Sequence, residues 1–254
     1  MFDLSSLSLA DILPFIAIGF AAQMVDGALG MAFGVISSTL LIGIGVPPAA
    51  ASAGVHTVET FTTAASGISH VLHRNVDWKL FGRLVLPGMA GGIAGAYLLA
   101  SISAEAARPF VLTYLAAIGV WLIVRGLRYP PAEKEPRAVP VLGLAGGFLD
   151  AAGGGGWGPV VTSNLLMQGT NPRRTIGTVN TAEFFLTITI SATFIAALGW
   201  EAFTVATLGL LIGGVAAAPL GAFAAKKVPA KGLLLLVGSV LIITSGYGIY
   251  RALS

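Results

Sequence analysis

Residues 150–159 read DAAGGGGWGP, and 124 positions earlier residues 26–35 read DGALGMAFGV. Each stretch lies inside an apolar run too long for one ordinary membrane span, residues 12–46 and 139–167. Glycine is a poor helix former, so four in succession break a helix. These two breaks decide how the chain is threaded.

The register that aligns them extends well beyond them. Gly19 falls on Gly143, Asp26 on Asp150, Gly30 on Gly154, Gly34 on Gly158, and Pro48 on Pro172. Thr57, Glu59, Phe61 and Thr63 fall on Thr181, Glu183, Phe185 and Thr187. After a two-residue slip, Trp78 and Phe81 meet Trp200 and Phe203, and Gly91 and Gly92 meet Gly213 and Gly214. Glycines coincide easily in an apolar chain, but Asp, Glu, Pro and Trp in one register indicate an internal duplication. The expected organisation is a first membrane repeat over residues 1–128, a linker over 129–137 and a second repeat over 138–254. The linker, YPPAEKEPR, is the one charged, proline-rich stretch.

Composition sets the environment. Of 254 residues, 56% are hydrophobic and only 10% charged, against about a quarter charged in soluble domains. Runs at residues 49–71, 80–102, 107–127, 175–198, 203–225 and 232–250 each match the ~20 residues a helix needs to cross ~30 Å of hydrocarbon. Continuous runs of this length exclude a β-barrel, so the spans are helices. The first eleven residues, MFDLSSLSLAD, lack the basic start of a cleaved signal peptide. With no cysteine in the chain, disulfides, thiolate metal sites and cysteine catalysis are excluded.

Basic residues set the orientation. With four simple spans per half, the 14 Lys and Arg residues divide almost evenly between the two sides. When each broken run enters the bilayer and returns to its side of entry, all but Arg108 and Arg251 fall on one side, as the positive-inside rule demands. Each half then has a glycine-broken hairpin followed by three transmembrane helices, an odd number of crossings, so the halves are inverted. Both termini are expected outside the cytoplasm and the linker inside it. The fold class expected is an all-α polytopic membrane protein of two inverted repeats, in a bacterial inner membrane. Inverted repeats with broken helices are a transporter architecture whose substrate lies near the midplane. The opposing possibility for residues 12–46 is one long tilted helix.

The groups able to carry chemistry cluster at and just after the breaks. Amide groups freed at Gly153, Gly154, Gly155 and Gly156 can face an anion at a helix start, or the glycines can serve close helix packing. On the next helix, His56, Thr57 and Glu59 recur as Asn180, Thr181 and Glu183. Positions i and i+3 share a helix face, so each pair looks one way. Asp26, Glu59, Asp150 and Glu183 all lie within spans or breaks, with no embedded Lys or Arg expected beside them. An ionised group at that depth costs several kcal/mol or more. They therefore carry protons, share hydrogen bonds or bind cations, as a proton-coupling set would; the alternative for Asp26 and Asp150 is helix capping. His56 alternatively is a hydrogen-bonded core histidine, and Trp157 is expected to close one side of the cavity. No phosphate-binding GxxxxGK[ST] segment is present. Nucleic acid is not an expected partner, because the basic residues sit beside spans. No cofactor is implied.

The block GLAGGFLDAAGGGGWGPVVTSNLLMQGTNPRRTIGTVNTAEFF (143–185), with DGALGMAFGVISSTLLIGIGVPPAAASAGVHTVETF (26–61), resembles the sulfite exporter TauE/SafE family of membrane permeases. The resemblance covers nearly the whole chain and implies movement of sulfur oxyanions or small organosulfonates, with Gly153 to Gly156, Asn180 and Thr181 beside the substrate. The first half departs from the family's glycine triplet, and His56 with Glu59 adds acidity that opposes a bare anion. The expected function is therefore a proton-coupled secondary transporter of a small sulfur-containing anion. The competing function is a divalent-metal carrier using His56, Glu59, Asp26, Asp150 and Glu183. An intramembrane enzyme is disfavoured, since no nucleophile accompanies His56 and Glu59.

Overall fold

The computed structural model describes residues 9–29, 31–127, 135–200, 205–224 and 230–253, and among them there is no strand. The first half contributes α1 (Leu9–Leu29), α2 (Phe33–Gly43), α3 (Pro48–Leu72), α4 (Trp78–Ser101) and α5 (Ala104–Leu127). The second contributes α6 (Val139–Gly153), a π-helical turn (Trp157–Thr162) running into α7 (Ser163–Met167), then α8 (Pro172–Leu198), α9 (Val205–Ala224) and α10 (Ala230–Leu253). Most of the linker, residues 128–134, lies outside the described residues.

Local chemistry sets the helix boundaries. Proline opens α3 and α8, where a missing N–H costs nothing. Asp77 and Asn171 cap α4 and α8 by accepting from backbone N–H groups two or three residues on. α6 ends at Gly154, whose φ of 72° is left-handed. By length and composition α4, α5 and residues 174–198 of α8 are each able to cross a membrane. α3 is as long, at 25 residues, but carries His56, Glu59 and a series of Ser, Thr and Gly residues.

Both broken runs split, though not identically. α6 stops at the glycine quartet as expected. In the first half the helix continues through Gly27 to Leu29 and resumes at Phe33, so the interruption falls later than DGALG implies. Asp26 Oδ1 accepts from the N–H groups of Ala32 and Phe33, at 2.7 and 3.1 Å. A single glycine inside a helix is tolerated, and this cap places the restart.

Helix directions follow from which residues touch. Thr57 of α3 meets Ser191 of α8, and Ser66 meets Asn180, so α3 and α8 run antiparallel. Gly119 of α5 lies on Gly238 and Ile242 of α10, and Leu112 on Gly248, again antiparallel. α4 and α6 run parallel: Gly88 faces Gly143 and Gly95 faces Phe148. So do α1 and α9, with Gly209 against Ile12 and Phe15, and Gly213 against Ile16 and Phe20. Gly54 of α3 touches Thr207 and Val58 reaches Gly214, so α3 parallels α9, and hence α1. Between the parallel helices α1 and α3, the short α2 therefore turns back on α1. Pro14, Pro87 and Pro109 sit within α1, α4 and α5.

Polarity is turned inward. Leu72, Leu86, Tyr97, Phe110, Val141 and Ile243 are exposed, whereas Ser37, Ser38, Ser52, His56, Thr162 and Asp150 are buried. Apolar outward faces over a polar interior suit a lipid surround. Where lipid replaces water, close backbone approach through small residues holds helices together. The contacts at Gly91 with Leu144, Gly147 with Gly88 and Gly19 with Leu210 are of that kind.

Candidate functional site

The two breaks meet each other. A Cβ on Gly155 would strike the backbone of Gly34 and Val35, and one on Gly158 would strike Met31. In the 124-residue register Gly34 corresponds to Gly158 and Met31 to Gly155, so the two contacts are repeat equivalents. Gly155 has φ of 135°, a conformation reserved largely for glycine. The crossing needs glycine there for both reasons.

Around the second break the first half supplies a wall. Gly34 and Ser38 lie one turn apart on α2, and Ser52, His56 and Glu59 follow one face of α3 at helical spacing. His56 is fully buried, and its Nε2 lies 3.0 Å from Asp150 Oδ2, itself buried. Its Nδ1 lies 2.7 Å from the Ser52 carbonyl, which with the Asp150 contact orients the ring. Asp150 Oδ1 accepts from the Trp157 N–H at 2.8 Å. Asp150 thus caps the π-helical restart, as Asp26 caps α2, while its second oxygen holds an imidazole from the other half. Capping and a hydrogen bond shared with another titratable group, alternatives in the sequence, coexist in one side chain.

The glycine quartet turns mostly carbonyls outward. The N–H groups of Gly154 and Gly155 both donate to the Asp150 carbonyl. Ser38 Oγ donates to the Gly154 carbonyl, Ser52 Oγ to that of Ala151 at 2.8 Å, and Tyr114 OH to that of Gly155 at 3.2 Å. Gly153 and Gly156 lie against the Tyr114 ring and hydroxyl. Trp157 is fully buried beside them and donates from Nε1 to the Val179 carbonyl at 3.2 Å.

Glu59 is 6% exposed. Its Oε1 lies against Gly34 at the crossing, and its Oε2 has no hydrogen-bond partner among the described residues. The charges of His56, Asp150, Glu183 and Asp26 act on it, so the embedded acids share one polar interior. Glu183 is half-buried and interacts with Asp150 and Asp26. The remaining candidates lie farther out. Thr57 donates to Ala53 O, and Thr181 to Gly177 O. Asn180 donates to Ser66 Oγ at 3.1 Å. Thr181 also lines an apolar groove of about 380 Å³ with Thr63, Gly67, Trp78 and Phe185, outside the polar centre. Among the described residues no three His, Asp or Glu side chains converge as a metal site.

Two contributors were not legible beforehand. Tyr114 lies in an apolar span with nothing around it to mark it. Arg125, which reads as a cytoplasmic end charge, is half-buried in the last turn of α5 and donates to Met31 Sδ at 3.2 Å. One basic side chain therefore reaches the first break.

An apolar-faced helical bundle that buries a titratable pair beside two broken helices is a membrane protein of transporter type. The comparisons with known proteins agree. A family profile described as "Sulfite exporter TauE/SafE" matches residues 15–248, and the chain belongs to that family. It is 41% identical over 241 residues to the "Probable membrane transporter protein YtnM" of Bacillus subtilis (strain 168), covering 91% of this chain and 80% of the relative. No solved structure matches it.

Proposed function

We propose that the chain is a secondary transporter of a small sulfur-containing anion (sulfite, thiosulfate or an organosulfonate), coupled to protons and working by alternating access. The observation that carries this reading is the crossing at Gly34 and Gly155, where Glu59 and the His56–Asp150 pair are buried between the two halves. A solute-coupled machine needs titratable groups where its halves meet, because separation of the halves then changes what those groups touch. The description of the family, a sulfite exporter, supports the solute class.

In this reading residues 1–128 and 138–254 are inverted repeats joined by the cytoplasmic linker 129–137, with both termini outside the cytoplasm of a bacterial inner membrane. The antiparallel packing of equivalent helices, α3 with α8 and α5 with α10, supports the inversion. Two halves of like orientation would pack those helices parallel. The return of α2 between the parallel helices α1 and α3 supports the broken hairpin. Asp26, Glu59, Asp150 and Glu183 are the candidates from which the proton-coupling group is drawn. His56, Thr57, Gly153, Gly154, Gly155, Gly156, Asn180 and Thr181 are the solute-side groups, reached as the crossing parts.

Coupling follows from charge. Loss of a proton from the centre adds a negative charge that opposes the anion, so proton and anion bind together by linkage. The test is uptake of sulfite, thiosulfate and a sulfonate into proteoliposomes with an imposed pH gradient. Uptake that follows the gradient is expected. Rates indifferent to it remove the coupling, and failure of the whole panel removes the solute class.

A further inference from the structure

We propose that the four embedded acids divide their labour: Glu59 alone carries the exchangeable proton, while Asp26 and Asp150 hold the breaks. This rests on the proton-coupled reading and assigns its carrier. Asp26 is engaged by two backbone N–H groups. Asp150 is engaged through both oxygens, by the Trp157 N–H and by His56 Nε2. Each sits at the same register position, six or seven residues ahead of the helix it restarts. Taking either through a cycle of proton loss and gain would break and remake a helix cap each time.

Glu59 is different. One oxygen abuts Gly34 at the crossing and the other is buried with no partner among the described residues. A buried carboxylate oxygen left unpaired is costly, and a proton on that oxygen removes the charge. The charged groups around it come from four elements: His56 on its own helix, Asp150 on α6, Glu183 on α8 and Asp26 on α1. The facing helix α2 adds no titratable side chain, and α9 has none in its sequence.

Glu183, the repeat equivalent, lacks these conditions. Position 180 is Asn where the first half has His56, and the charges that act on Glu183 are all those of acids, Asp150, Asp26 and Glu59. An ionised Glu59 has an imidazole one turn away; an ionised Glu183 has none in the equivalent place. Glu59 can exist in both charge states, and only in the neutral one does the centre admit an anion. Two like charges about 6 Å apart at an effective dielectric of about 20 repel enough to weaken anion binding by roughly 100-fold.

The experiment compares wild type, Glu59→Gln, Glu183→Gln and Asp26→Asn in proteoliposomes. Labelled sulfite is followed both in equilibrium exchange and in accumulation driven by a pH gradient. The accumulation-to-exchange ratio is expected to fall at least 10-fold in Glu59→Gln and to stay at the wild-type value in the other two, whatever their absolute rates. A wild-type ratio in Glu59→Gln, or an equal loss in Glu183→Gln, overturns the assignment. Infrared difference spectra of the reconstituted protein on a pH step give a readout independent of the solute. One protonated-carboxyl band is expected, lost in Glu59→Gln and kept in the other two variants; its persistence in Glu59→Gln overturns the assignment too. If wild type exchanges no sulfur anion, the solute class fails while the infrared result still decides on Glu59. Glu59→Asp, which keeps a titratable group one methylene back, is expected to retain the band should the glutamine variant fold poorly.

Discussion

Alanine at Gly155 should be the most damaging glycine-to-alanine change in the chain's breaks and turns, and the structure gives its size relative to two controls. Gly82, within α4, would have nothing within 4 Å of an added Cβ. Gly82→Ala should therefore gain up to about 1 kcal/mol from helix propensity alone. Gly45, between α2 and α3, is equally open but has φ of 106°, so Gly45→Ala bears backbone strain of about 1–2 kcal/mol and nothing else. Gly155 combines a φ of 135° with a Cβ that would meet backbone atoms of Gly34 and Val35, which no side-chain rotation relieves. Adding about 1–3 kcal/mol for overpacking to similar strain gives roughly 2–5 kcal/mol, a large part of a total stability of about 5–15 kcal/mol. The assay is denaturant unfolding in micelles followed by tryptophan fluorescence. The expected order of stability is Gly82→Ala, wild type, Gly45→Ala, Gly155→Ala. If Gly155→Ala unfolds no more easily than Gly45→Ala, strain is the whole effect, and the two breaks do not abut.

Two further outcomes follow from the fold and the caps. Because the chain has no cysteine, single cysteines report topology cleanly: Ser103→Cys, in the turn between α4 and α5, should react with an impermeant maleimide in intact cells, and Glu135→Cys, in the linker, only after lysis. The reverse pattern would invert the proposed orientation. Asp26→Ala removes only a cap, worth about 1 kcal/mol, whereas Asp150→Ala also strands buried His56, raising the loss to about 3–5 kcal/mol. Equal losses in thermal unfolding would show that the His56–Asp150 contact contributes nothing to the folded state.

Sequence carried the broad plan because its physics is periodic and local. Apolar run lengths and Pro48 and Pro172 at helix starts belong to neighbouring residues, and both reappear in the structure. What escaped depends on residues distant in the chain. His56 and Asp150 are 94 positions apart, and nothing in either neighbourhood announces the pairing. The glycine quartet reads as a donor of N–H groups because its helix start is visible in the sequence. That Asp150 would consume two of those groups, and that Ser38 and Tyr114 would take up its carbonyls, needs the other half's helices in place. The reach of Arg125 escaped for the same reason: a basic residue at a span end fits the positive-inside rule whether or not it turns inward to Met31.

The duplication also explains why the departures from it are informative. With two identical inverted halves, opening toward either side of the membrane would cost the same. Here the second break is held by Ser38, Ser52, His56 and Tyr114. The corresponding positions around the first are Thr162, Ile176, Asn180 and, through the two-residue slip, Leu236. Ile176 and Leu236 have no hydrogen-bonding side chain, Thr162 Oγ1 is buried without a partner among the described residues, and Asn180 is turned to Ser66. Among the described residues, the side chains that hold the second break thus have no hydrogen-bonding counterpart at these positions of the first. In the proposed alternating-access reading, that asymmetry would let the two sides of the crossing open unequally. On the proposed assignment, equivalent acids in unequal surroundings are how a repeated fold acquires one proton-carrying carboxylate instead of two.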